Sequence, residues 1–289
     1  MKAKALAWSK LAAAKWEDAW VERLQCLGPG RLAIFTLPGS QRIRLEAYGL
    51  NKKEAGQLTK AFGGSVRPMK SAAAYLAGNG TAPPLFIRDR LVVVRSAKAA
   101  REIARDYPGR PILIIPAAMA FGTGDHATTS TCLRMICDIA GEKKNSGAAG
   151  ARWEALDLGS GTGILALTAR LMGASRCDAW DYDPACIQAI RDNVRANGMT
   201  AVPAARADVT QWAPSRQWDL ITANLFSDLL IQIAPRIAAA LKPNGRLILS
   251  GMLAPQAKAT LAVFRAQGIQ FEKVIQKGKW VTALSKAVG

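Results

Sequence analysis

The sequence is poor in the groups that build metal centres and disulfide frameworks. It has one histidine, His126, in 289 residues, and five cysteines without a Cys-x-x-Cys pair. Cys132 and Cys137 come closest. That spacing argues against a zinc site or a stapled fold, so reduced thiols in a cytoplasm and no metal are expected. Long apolar runs are also missing. The longest, "ILIIPAAMAF", is far too short to span a membrane. The opening "MKAKALAWSKLAAAKW" has the basic start and apolar body of a leader peptide, but Lys10 and Lys15 interrupt it. Acidic residues are scarce, 21 against 39 Lys and Arg, for a net charge of +18. The imbalance is concentrated early: residues 1–110 hold 20 basic against 8 acidic groups, and residues 111–289 hold 19 against 13. Such a field suits a polyanionic partner or its neighbourhood. A basic surface that only confers solubility is the competing reading, because no RNA-binding motif accompanies the charge.

Half of the residues are apolar, enough for a sizeable core. Residues 1–80 read as a small α+β domain. Trp16, Trp20, Leu24 and Leu27 fall on one helical face, "RLAIFTL" and "RIRLEAYG" read as strands around the turn "LPGSQ", and a helix capped by Asn51 ends at Gly63–Gly64. "AGNGTAPP" (77–84) is the boundary. Residues 81–118 form a connector with strand "LVVVRS", helix "AKAAREIARDY" and strand "PILIIPA". "GEKKNSGAAGAR" (141–152) reads as a linker or surface loop. The remainder of 119–289 alternates strand and helix, which predicts a doubly wound, seven-stranded Rossmann-like α/β sheet. Its last two strands are too close for a crossover and should form an antiparallel hairpin through "KGK".

The chemistry concentrates at strand ends. In "LDLGSGTG" (156–163) a strand runs into Gly159, Gly161 and Gly163 before a helix, with Asp157 two residues ahead of the first glycine. Glycines there let the backbone turn sharply and approach a ligand. The GxGxG spacing differs from the dinucleotide GxGxxG and is the form seen in S-adenosyl-L-methionine enzymes, whose ligand has no pyrophosphate. In "AWDYDP", Asp181 ends the next strand, where a carboxylate can hold a ribose diol. Asp183 before Pro184 reads as a helix cap. In "ARADVT", Asp208 serves either an adenine amino group or a cap. In "DLITANLF", Asn224 ends the strand nearest the expected methyl group, and its side-chain oxygen can aim an amine lone pair. Phe226 reads as a buried helix-start aromatic or a stacking surface. "AFGTGDHATT" (120–129) packs Gly122, Gly124, His126 and two threonines behind an apolar run, as a loop made for close backbone contact.

Taken together, "AFGTGDHATT", "LDLGSGTGILAL", "DYDP", "ANL" and "LSGML" resemble the methyltransferases of the large-subunit ribosomal protein L-eleven. The resemblance covers residues from about 84 to 289, including the "KW" at 279–280. It implies an S-adenosyl-L-methionine-dependent protein methyltransferase acting on lysine ε-amino or N-terminal α-amino groups. It implies cofactor contacts at Thr129, Gly159, Asp181 and Asn224, and a structural role for His126. The basic N-terminal domain would then select a ribosomal protein lying near rRNA. An RNA or small-molecule amine methyltransferase, a nicotinamide-dependent oxidoreductase and a non-catalytic RNA-binding scaffold are the alternatives.

Overall fold

The computed structural model describes residues 6–16, 20, 23–24, 27, 31–36, 40–68, 83–116, 126–145 and 152–288. The chain divides into two compact units, Met1–Tyr75 and Leu76–Gly289.

The first unit contains β1 (Leu6–Ala13), a 3-10 turn (Ala14–Trp16), β2 (Leu32–Thr36), β3 (Arg42–Leu50), α1 (Lys52–Phe62) and β4 (Ser65–Pro68). The antiparallel sheet has the order β2-β3-β1-β4. Alternation in "RIRLEAYG" places Ile43, Leu45 and Ala47 in the core beside Trp8, Trp20, Leu24, Ala55 and Leu58. Asn51 starts α1 as expected: its side chain accepts from Glu54 N at 2.9 Å, and its own N–H donates to the Glu54 carboxylate at 2.8 Å. Arg31 clasps the same carboxylate and draws it down to about 2. Trp8 Nε1 donates to Gly63 O at 2.7 Å, fixing the end of α1 to the sheet. Leu6–Ala13 of the opening run form β1, a central strand paired on both sides. One expectation is corrected. Trp16 is 54% exposed and does not share the buried positions of Trp20, Leu24 and Leu27, because the turn that follows β1 carries it outward.

The second unit opens with β5 (Leu85–Ile87), β6 (Leu91–Val94), α2 (Ala97–Asp106) and β7 (Ile112–Ile114), whose strands form a small sheet of their own. Ile87, Leu91, Val93 and Leu113 join the same core as the helices that follow. Next come α3 (Ala127–Asn145), β8 (Glu154–Leu158), α4 (Ile164–Leu171), β9 (Arg176–Asp181), α5 (Pro184–Ala196), β10 (Ala204–Arg206) and β11 (Trp218–Asn224). The chain continues with α6 (Ser227–Ala240), β12 (Leu241–Leu253), α7 (Ala254–Ala266), β13 (Phe271–Lys277) and β14 (Trp280–Ser285). The seven-stranded order is β10-β9-β8-β11-β12-β14-β13. The pairs from β10 through β12 are parallel, while β14 runs antiparallel to both β12 and β13, as the hairpin reading requires. One boundary is corrected: residues 141–145 of the expected linker extend α3. The boundary cluster up to residue 82 and residues 146–151 lie outside the described residues. Among the described residues no helix is long and apolar enough to cross a membrane.

Strand order reverses between β8 and β11. In open α/β sheets a ligand crevice lies at the carboxyl ends of strands at such a point. The glycine turn after β8, Asp181 on β9, Asn224 on β11 and Gly251 on β12 all sit at that edge.

Candidate active site

Gly159, Gly161 and Gly163 have φ of +68°, +56° and +80°, the left-handed region that side chains disfavour. Gly159 N and Ser160 N both donate to Trp180 O, at 2.9 and 3.0 Å. Gly161 N donates to Asp181 Oδ2 at 2.8 Å, and Gly163 N to Ser160 O at 2.8 Å. These four amides are consumed within the protein. A pyrophosphate cradle needs such amides free, so the turn fits a ligand without one.

Asp181 is held on both oxygens, since Asp183 N donates to Oδ1 at 3.0 Å. Each carboxylate oxygen still has a lone pair for a hydroxyl. Asp183 is the cap of α5 that its place before Pro184 predicts, accepting from Ala185 N at 2.8 Å. Asp208 accepts from both Thr210 N (2.9 Å) and Thr210 Oγ1 (2.7 Å), and these bonds lower its carboxyl below the usual range.

Asn224 stands at the carboxyl end of β11. Its Nδ2 donates to Thr128 Oγ1 at 3.3 Å, and His126 Nδ1 lies 2.7 Å from the same hydroxyl. The imidazole packs edge-on to Trp280, with centroids 5.1 Å apart. Thr128 therefore joins the only histidine to the candidate catalytic amide, a role the sequence did not distinguish from that of Thr129. Thr129 Oγ1 is buried without a hydrogen-bond partner among the described residues. Gly122 and Gly124 lie outside the described residues.

Phe226 is 75% exposed, which corrects the buried reading: it caps the start of α6 from outside the core. Leu225 between them turns inward. Leu225 N donates to Ser250 O at 3.0 Å, and a Cβ on Gly159 would stand 2.4 Å from Leu225 Cδ2. Gly251 on β12 has a positive φ of +84°. A Cβ there would meet the Leu225 carbonyl oxygen at 2.4 Å.

Asp157 lies buried beneath the turn. Thr222 Oγ1 donates to its Oδ1 at 2.6 Å, and Oδ2 has no partner among the described residues. Burial pushes this carboxyl from 3.8 up to about 6, against the lowering effect of Thr222. The fold therefore favours the protonated form. Stability from this group is fully present below about pH 4 and is lost as pH rises through about 6. Asp157→Asn is expected to remove that slope and to stabilise the protein at pH 8 by roughly 3 kcal/mol at most. Melting temperatures of both proteins from pH 4 to 8 check this; parallel curves would contradict it.

Residues 80–287 match the family described as Ribosomal protein L11 methyltransferase (PrmA). The chain belongs to this family. Relatives of that name include one from Chromohalobacter salexigens, 34% identical over 204 residues, covering 71% of this chain and 63% of the relative. Another, from Azotobacter vinelandii, is 36% identical over 202 residues, with 68% and 62% covered. This family member thus spans less than two thirds of the length of the curated relatives it matches. A solved ribosomal protein L11 methylase from Lactobacillus delbrueckii subsp. bulgaricus superposes with a TM-score of 0.58 at 21% identity, covering 72% of this chain and all of that one. It establishes the shared fold.

Proposed function

We propose that this family member transfers methyl groups from S-adenosyl-L-methionine to lysine ε-amino or N-terminal α-amino groups of a large-subunit ribosomal protein. The observation that carries this reading is the tethering of Asn224: its Nδ2 is committed to Thr128, leaving Oδ1 as an acceptor at the switch point.

The site's residues fit the cofactor. Asp181 would hold the ribose hydroxyls, and Gly159, Gly161 and Gly163 would let the backbone approach. Thr129 would supply its hydroxyl, and Asp208 would take an adenine amino hydrogen. When bound, the cofactor supplies a methyl group on an electrophilic sulfonium. Asn224 Oδ1 accepts a hydrogen of the neutral amine and aims its lone pair. A lysine entering a poorly hydrated site beside a cation loses its proton more readily, so no dedicated base is required. His126 Nδ1 already faces Thr128 and serves the scaffold. His126→Ala should therefore keep turnover within about tenfold, whereas loss of a true general base costs about 10²–10⁴-fold. Steady-state kinetics separates the two.

In this reading residues 1–80 select the target, residues 81–118 connect, and residues 119–289 carry the chemistry, in the cytoplasm and close to rRNA. The deciding experiment incubates the protein with methyl-labelled S-adenosyl-L-methionine, dissociated ribosomal proteins and rRNA. Label on one protein band, lost with Asn224→Ala, is expected. Label on RNA would overturn the assignment.

A further inference from the structure

The sheet of the first unit has two faces. On one, Trp8, Ile43, Leu45 and Ala47 pack with Ala55 and Leu58 of α1. Register fixes the other. Leu11 lies opposite Arg44, Ser9 opposite Glu46, Phe35 opposite Arg44, and Ser9 opposite Ser65. Directly opposed residues share a face, so Phe35, Arg42, Arg44, Glu46 and Arg67 project together, away from α1.

This second face is organised. Glu46 is nearly buried and takes Arg44 Nε at 3.0 Å, Arg67 Nη2 at 3.0 Å and the Tyr48 hydroxyl. Arg44 also lies over the Phe35 ring, 5.2 Å from its centroid. One carboxylate thus holds two guanidinium planes in place while both arginine side chains remain about half exposed, 46% and 45%. Arg42 and Leu11 are exposed beside them. The unit's charge points the same way: residues 1–75 carry 13 Lys and Arg against 5 Asp and Glu.

A four-stranded antiparallel sheet with helical cover on one face and exposed planar groups on the other is a platform on which unpaired bases stack, with guanidinium planes serving as well as rings. Surplus donors on the arginines then reach phosphates. We infer that this face binds single-stranded RNA. The choice of RNA among polyanions rests on the ribosomal reading above; the geometry of the face does not.

The test uses the full chain and a labelled, uridine-rich RNA of about 12 nucleotides, read by fluorescence anisotropy across a salt series. Binding should weaken with salt, and Phe35→Leu and Arg44→Ala should each raise Kd by about tenfold. Arg44→Lys, which keeps the charge and loses the plane, should lose nearly as much as Arg44→Ala. The double variant Lys52→Ala, Lys53→Ala on α1 should lose less. Circular dichroism melts confirm that each variant is folded. The inference fails if duplex RNA binds as tightly, or if the α1 variant matches the sheet variants. It also fails if the sheet variants lower kcat/KM for the protein substrate with RNA affinity unchanged, which would make the face a protein-recognition surface. No methyl transfer enters the RNA measurement, so this inference and the catalytic assignment stand or fall separately.

Discussion

Asn224→Ala is expected to lower kcat by at least about a hundredfold, with a smaller change in cofactor affinity. The magnitude follows from what positioning is worth: misplacement by about 1 Å costs roughly 10²-fold. The amide is fixed at one end by Thr128, so its oxygen is held without further ordering when an amine arrives. Alanine removes the acceptor and leaves the strand end in place. Single-turnover methylation and calorimetric cofactor binding separate the two effects. A variant that binds cofactor normally and still transfers methyl groups at a tenth of the native rate would dismiss Asn224 as the orienting group. Asn224→Asp sharpens the test. A carboxylate beside the acceptor would hold a lysine in its charged form, so the kcat/KM profile should move to higher pH. If Asn224 were only structural, the aspartate variant would lose activity without moving the profile.

The sheet was readable because its strands carry strong apolar runs bounded by turns, and most helices present one buried face. Two of the strands that escaped, β1 and β4, lack that signature. β1 is rich in alanine, which has little preference for strands, and its place is set by pairing with β3 and β4. All four residues of β4 are exposed, so no buried alternation marks it. The last turn of α3 is polar and looked like a loop. It has Lys143 and Lys144, charges that suit a helix carboxyl end, and Lys143 lies over the Trp153 ring. At the site, the glycine turn, Asp181 and Asn224 were legible because strand ends fix their positions. The pairing of Thr128 with Asn224 was not, since both Thr128 and Thr129 are buried. Which of them meets β11 depends on how α3 is rotated, and that is set by its packing against distant strands. Gly251 was hidden for a related reason: its constraint is the backbone of Leu225, just past the end of the neighbouring strand.

Gly251→Ala should be nearly as damaging as loss of Asn224, without touching a polar group. Two costs combine. Gly251 has φ of +84°, where a side chain costs about 1–2 kcal/mol. The added Cβ would also stand 2.4 Å from the Leu225 carbonyl oxygen and 2.8 Å from its carbon, and backbone cannot rotate away as a side chain can. Relief requires β12 and the end of β11 to separate, which breaks the bond from Leu225 N to Ser250 O and moves the adjacent Asn224. The expected result is a fall in melting temperature of roughly 4–10 °C together with a loss of turnover of about a hundredfold. A second variant distinguishes lost geometry from a merely weakened fold. If Gly251 acts by seating Asn224, the double variant Gly251→Ala, Asn224→Ala will be scarcely less active than Asn224→Ala alone, while its melting temperature still falls. Losses of activity that multiply would mean that Gly251 contributes to catalysis by a route independent of the amide.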